Sequence, residues 1–152
     1  MKTLQTCSLL LLCALFSSIS FGQPIPINEP DYNKAKLFQD LPDRLPVEVS
    51  SLQNLLNLQI GQQANFQLTN SEGIQGPVVS SALKYNTIQS IVIRSTNRAG
   101  ANFSFSKITL PDGSVKYTGR IISRQHSDGF ELSEDNGKYF LVKKHFYDMM
   151  NE

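Results

Sequence analysis

From Asn65 onward the apolar residues of this chain recur at every second position, and turn-forming clusters interrupt the alternation at short intervals. A period of two places alternate side chains on opposite faces of an extended strand. Short turns between such segments leave no room for the crossover helix that a parallel pair needs. The chain is thereby restricted to sheets whose neighbours run antiparallel.

The alternating runs can be followed one by one. Phe66 and Leu68 open the series, and Asn70-Ser71-Glu72-Gly73 turns the chain into a run through Val78 and Val79. Thr87 to Ser95 is rich in β-branched residues and reads as a central strand. The loop Thr96 to Gly100 leads to Ala101–Leu110, where Phe103 and Phe105 share a face but Ile108 and Leu110 have the opposite parity, so a bulge is expected near Ser106-Lys107. Pro111-Asp112-Gly113-Ser114 is the strongest turn, because Pro and Gly supply the dihedrals and Asp the local hydrogen bond. Val115, Tyr117 and Ile121 then alternate with Lys116, Thr118 and Arg120. Ser127-Asp128-Gly129 and Glu134-Asp135-Asn136-Gly137 bracket the last two runs, Phe130–Leu132 and Lys138–Lys143. The expected fold is mainly β with minor α: an antiparallel meander of about seven short strands, closing into a small barrel or a two-layer sandwich.

One short helix precedes the strands and one follows. Leu52, Leu55 and Leu56 fall at helical spacing within Val49–Leu58, Ser50 or Ser51 is placed to cap it, and Gly61 follows as a stop. The closing helix is expected over His145 to Asn151. Before the first helix, residues 23–46 carry five of the seven prolines and read as an extended arm, a tether or a strap laid over the domain. Residues 47–152 make a single β-rich domain.

The first 22 residues have the form of a secretory signal. Lys2 precedes the short apolar core Ser8–Phe16, and Ser20-Phe21-Gly22 supplies small residues at −3 and −1. That core is too short to anchor in a bilayer, and no later segment reaches the ~20 apolar residues of a membrane span. A secreted or periplasmic protein is expected. Both cysteines, Cys7 and Cys13, lie in the signal, so the mature chain has neither disulfides nor zinc thiolates to hold it together. The 130 residues left of 152 suffice for one core, and removing Lys2 leaves 13 basic and 13 acidic residues. Zero net charge argues against a nucleic-acid binder or a protein held electrostatically on membranes, both of which use a sustained positive field.

Catalytic and metal-binding patterns are sparse. His126-Ser127-Asp128 puts three catalytic residue types side by side, but triads assemble in space from separate elements, and Asp128-Gly129 is more simply a turn. There is no Gly-x-Ser-x-Gly elbow. His126 and His145 are the only histidines and lack HExxH spacing, and Glu131, Glu134, Asp135 and Asn136 lack the pattern of a calcium loop, so no metal and no cofactor is expected. Arg94, Arg98, Lys107, Lys116, Arg120 and Arg124 fall on three consecutive strands and their ends. With Phe103, Phe105 and Tyr117 nearby they suggest an oligonucleotide-binding sheet, yet those aromatics also form the natural core face. The reading adopted is a positive patch of Arg94, Lys107, Lys116, Arg120 and Arg124 facing an acidic glycan or a partner's carboxylates. The sequon Asn102-Phe103-Ser104 lies mid-strand and is read as coincidence, and Phe146–Met150 either docks on its own domain or binds a partner.

The order Leu45-Pro46, Leu58-Gln59-Ile60-Gly61-Gln62, Phe66-Gln67-Leu68, Gly76-Pro77-Val78-Val79-Ser80 and then the Phe-Ser-Phe hairpin is similar to the small β-rich pro-regions of some secreted bacterial metallopeptidases. The signal ending Phe-Gly-Gln resembles exported proteins of Bacteroidetes-type bacteria. The resemblance spans roughly residues 45 to 143 and implies a stand-alone binding or inhibitory module, with no site residues carried over. The expectation is an exported, monomeric, non-enzymatic module for a protein or cell-surface partner. The alternative is a cell-envelope hydrolase using His126 and Asp128, or a glycan-binding domain.

Overall fold

The computed structural model describes residues 33–150, so the signal segment and the first part of the arm lie outside the described residues. The described chain is mainly β: eight antiparallel strands in one curled half-barrel sheet, with two short helices. The strands are β1 (Arg44–Val47), β2 (Gln63–Gln67), β3 (Gly73–Lys84), β4 (Ile88–Arg94), β5 (Asn102–Thr109), β6 (Val115–Ile122), β7 (Asp128–Asp135) and β8 (Lys138–His145). From β2 to β8 each strand lies beside its neighbour in sequence, and β1 adds to the far side of β8, so β1 and β2 are the two edges. The meander expected from the tight turns is present, with one strand more than anticipated, and that strand comes from the end of the proline-rich arm.

The concave face holds the core. Ile91 and Ile93 of β4, Phe103 and Phe105 of β5, Ile121 of β6, Phe130 of β7 and Leu141 of β8 are all fully buried there. Ring contacts run across the sheet from Phe66 to Phe103 (4.9 Å), Phe103 to Phe105 (6.2 Å), Phe105 to Tyr117 (5.8 Å) and Tyr117 to Tyr139 (5.4 Å). Rings in this range of separations add attraction beyond their buried area. β5 pairs in unbroken register with β4 and β6 through Thr109, so the bulge expected near Ser106-Lys107 is absent. The irregularity of register lies in β3 instead, between Val78 and Ser80.

Helix α1 (Val49–Leu56) plugs the open side of the sheet. It buries Leu52, Leu55 and Leu56, the three leucines whose spacing marked it, and it ends two residues earlier than expected. Glu48, rather than Ser50 or Ser51, occupies its N-cap, and no side chain caps it. Two side-chain bonds fix the helix instead: Gln53 Nε2 donates to Tyr117 Oη (2.8 Å), and Gln89 Nε2 donates to the Leu56 carbonyl (2.9 Å).

The described part of the arm is a strap rather than a tether. Phe38, Leu41 and Leu45 are buried in the core, and Phe38 meets Phe130 edge-on at 5.2 Å. The strap's amides Leu37 N–H and Phe38 N–H donate to the two carboxylate oxygens of buried Asp128 (2.6 and 3.0 Å). Lys143 Nζ donates to the Leu41 carbonyl (2.5 Å) and pairs with Asp43 (3.1 Å). Arg98 completes the attachment. Its guanidinium, largely buried, holds Asp40 through both nitrogens (2.9 and 2.6 Å), reaches Glu72 (3.0 Å) and donates to the Leu37 carbonyl (3.1 Å). This pairing holds the Asp40 carboxyl below its ordinary range and raises Arg98 above its own.

Helix α2 (Phe146–Met150) docks on the convex face. Met149 is fully buried and lies over Gly129 and Ile122. A side chain at 129 would meet Met149 Cε and the Ile121 carbonyl at 2.6 Å, so this glycine is what lets the helix sit down. Of the two readings of Phe146–Met150, docking on its own domain describes its place.

Candidate functional site

The basic residues do not converge. Lys116 and Arg120 point from β6 to the convex face, as their alternation with Tyr117 and Ile121 requires, and they stand roughly 13 Å apart along the strand. Arg94 shares that face at the end of β4, opposite Asn102. Lys107, however, lies opposite Gln89 and Tyr117, which puts it on the concave side beside α1. Arg124 lies beyond β6, where its backbone carbonyl accepts from Lys34 Nζ (3.0 Å). Arg120 is already engaged, donating to the Met149 carbonyl at 2.6 Å. Glu131 stands directly opposite Arg120 and pairs with Lys144 (2.5 Å), which sets a negative charge into the middle of the expected patch.

The His126-Ser127-Asp128 run is distributed among structural tasks. His126 Nδ1 is bonded to Ser123 Oγ (2.9 Å). Ser127 accepts from Phe146 N–H (2.8 Å) and donates its own amide to Ala35 (3.1 Å). The Asp128 carboxylate is taken up by the strap. The acidic stretch is likewise engaged: Glu131 with Lys144, Glu134 with the Tyr139 hydroxyl (3.0 Å) and Asp135 with Arg44 (2.7 Å). Burial pushes the Tyr139 phenol up from its ordinary range. Among the described residues no group of three His, Cys, Asp or Glu side chains is placed to hold a metal. No described helix is long and apolar enough to cross a membrane.

What the topology leaves open is the seam between its two edge strands. A cleft of about 470 Å³ lies there, lined by Leu45, Val47 and Glu48 on one side and by Phe66, Leu68 and Asn70 on the other, with Ser51 of α1 beside them. The floor is apolar and the rim polar. Ladder alternation fixes the backbone at both walls. On β2, Leu68 N–H bonds Glu72 and the Gln62 carbonyl accepts from Val78, so Ala64, Phe66 and Leu68 face β3. The amides and carbonyls of Gln63, Asn65 and Gln67 therefore point away from β3. On β1, Lys143 N–H bonds the Asp43 carbonyl, which turns Arg44 and Pro46 away from β8. Pro46 thus sits where a missing N–H removes no ladder bond, and it blunts that wall against pairing. The two walls differ: β2 offers donors and acceptors, β1 an apolar and donor-poor face.

Sequence reasoning missed this cleft because its far wall is β1, a four-residue strand inside the proline-rich segment. Pro46 next to the apolar pair Leu45 and Val47 was the available signal, since proline marks edges within sheets. No protein-family model matches the chain, and no curated protein and no solved structure is significantly similar to it.

Proposed function

We propose that the protein is an exported, non-enzymatic binding module that takes an extended polypeptide segment of a protein or cell-surface partner into the seam between β1 and β2. The observation that carries this reading is the edge of β2, whose outward amides and carbonyls border an apolar cleft of about 470 Å³. An added strand would gain main-chain hydrogen bonds from Gln63, Asn65 and Gln67 and would place alternate side chains over Leu45, Phe66 and Leu68. An inhibitory or pro-region-like role is the case in which that segment belongs to a peptidase. A hydrolase would need His126 or Asp128 at the disposal of substrate, whereas both are bonded within the fold.

The test uses an Asn65→Pro variant. Asn65 and Gln75 face each other, but Gln75 N–H is bonded to Asn97 Oδ1, so proline at 65 removes a seam-facing donor and spares the β2–β3 ladder. Displayed random peptides selected on the mature protein should converge on extended, β-branched sequences that bind the variant at least tenfold more weakly, while its melting temperature stays within a few degrees. Selection without enrichment, or peptides that bind both proteins equally, would refute the seam as the binding surface.

A further inference from the structure

The end of the half-barrel where β3 turns into β4 and β5 into β6 carries a surface that the seam does not use. β3 runs six residues beyond Val78, its last residue bonded to the β2 side, and so projects roughly 20 Å past that edge. Its turn is bonded to the neighbouring hairpin, Thr109 N–H donating to the Thr87 carbonyl (2.7 Å). Apolar side chains gather on these two tips: Tyr85 is 83% exposed, Leu83 64%, and Leu110 and Val115 40% each. Ile88 and Ile108 face each other just behind, and Lys84 and Lys116 flank that pair on the same row. Lys107 lies on the other face of the same hairpins. Three lysines thus stand about the apex, and the carboxylates of Asp112 and Glu134 near it are taken up by Ser114 and by the Tyr139 hydroxyl.

Two further observations point outward. The side chains of Lys107 and Lys116, like those of Arg94 and Lys138, make no hydrogen bond or ion pair with any described residue, whereas Arg44, Arg98, Arg120, Lys143 and Lys144 are engaged. Tyr85 holds a left-handed backbone (φ 52°), as does Asn86 (φ 57°), at a turn where Asn or Gly would sit with less strain. The Lys84 ammonium lies over its ring, 5.3 Å from the centroid. A bulky aromatic kept in a strained, exposed position is a mark of function rather than of folding.

We propose that this lysine-collared apex docks on an anionic phospholipid surface. A convex tip with Tyr and Leu at its crown and ammonium groups behind them suits a headgroup layer, which receives amphipathic rings and attracts cations together. A protein partner would instead have to offer a pocket lined with carboxylates. The zero net charge of the mature chain does not oppose this, because attraction to a charged membrane falls off within a Debye length and is read locally.

The experiment is sedimentation of the mature protein with vesicles of phosphatidylcholine alone or of phosphatidylcholine with phosphatidylglycerol. Binding is expected to the anionic vesicles, weakened by salt, and at least about fivefold weaker for each of the charge reversals Lys84→Glu and Lys116→Glu. Tyr85→Asn should weaken binding while leaving the melting temperature equal or higher, an outcome that a merely structural tyrosine would not give. No binding to anionic vesicles, or equal binding by all three variants, overturns the proposal. Binding to poly-glutamate but not to vesicles overturns it in favour of an acidic protein. Asn65→Pro should sediment like the wild type, so failure of the seam reading and failure of this one are distinguishable.

Discussion

Replacing Asp128 by Ala tests whether the strap belongs to the fold. The buried carboxylate accepts from Leu37 N–H at 2.6 Å and from Phe38 N–H at 3.0 Å. A hydrogen bond to a charged acceptor contributes about 1.5–3 kcal/mol net, and removing the acceptor leaves the donors to find water or remain unmet. Phe38 is fully buried and Leu37 only partly so, which lets water compensate one amide and not the other. The expected loss is about 3 kcal/mol for Asp128→Ala and about 2 kcal/mol for Asp128→Asn, whose amide keeps one acceptor but opposes the second donor. For a domain of this size that lowers the melting temperature by roughly 10 °C. Equilibrium unfolding in urea should show a lower midpoint with an unchanged slope. The mechanism is checked by coupling. In a Phe38→Ala background, itself costing about 3–5 kcal/mol, the Asp128 substitution should cost markedly less, because the strap it secures is already loosened. A loss below about 0.5 kcal/mol for Asp128→Ala, or full additivity with Phe38→Ala, would refute the strap as an integral part of the domain.

Two further outcomes follow from the same structure. Gly129→Ala places a methyl 2.6 Å from the Ile121 carbonyl and from Met149 Cε, so it should cost about 1–3 kcal/mol in a urea melt and make residues 146–150 the first site of proteolysis. The Asp40 carboxyl is held below its model-peptide value of 3.8 by Arg98, so its contribution is complete above that value and is lost as pH falls through the lower folded one; Asp40→Asn should therefore be destabilising by roughly 0.5 kcal/mol near neutrality and indistinguishable from wild type below that range.

Most of the sheet was legible because parity and turn chemistry act over a few residues. Pro111-Asp112-Gly113-Ser114 behaves as its composition requires: Gly113 takes φ 84°, and Asp112 accepts from the Ser114 amide at 2.9 Å. The misplacement of Lys107 within the expected basic patch traces to one parity decision. A bulge at 106–107 would turn Lys107 to the convex face beside Lys116 and bring Ile108 into the core. The strand runs straight instead, so Lys107 stays concave and Ile108 stays convex beside Ile88. A sheet face with Ser90 and Ser106 bonded across it (2.8 Å) tolerates an isoleucine at its end, and the sequence pattern does not distinguish that from a bulge. The strap was illegible for another reason. Phe38, Leu41 and Leu45 fall at i, i+3 and i+7, a helical spacing that Pro42 denies to a helix, and their partners, Asp128 and Lys143, stand 90 and 102 residues away along the chain.

Those separations set an order of assembly. β2 to β8 can zip hairpin by hairpin, each pairing close in sequence, with little loop entropy to overcome at any step. β1 has no ladder partner until β8 exists, and the strap has only Arg98 to hold it until the start of β7 exists, although they are the first of the described elements to be synthesised. A chain lengthening from its N-terminus, or passing through a pore in that direction, keeps the leading part of the described chain incompletely docked until its last strand arrives. Sealing the half-barrel is then a single late event that joins the two ends of the described chain, and the edge of β8 is exposed to every other strand in the meantime.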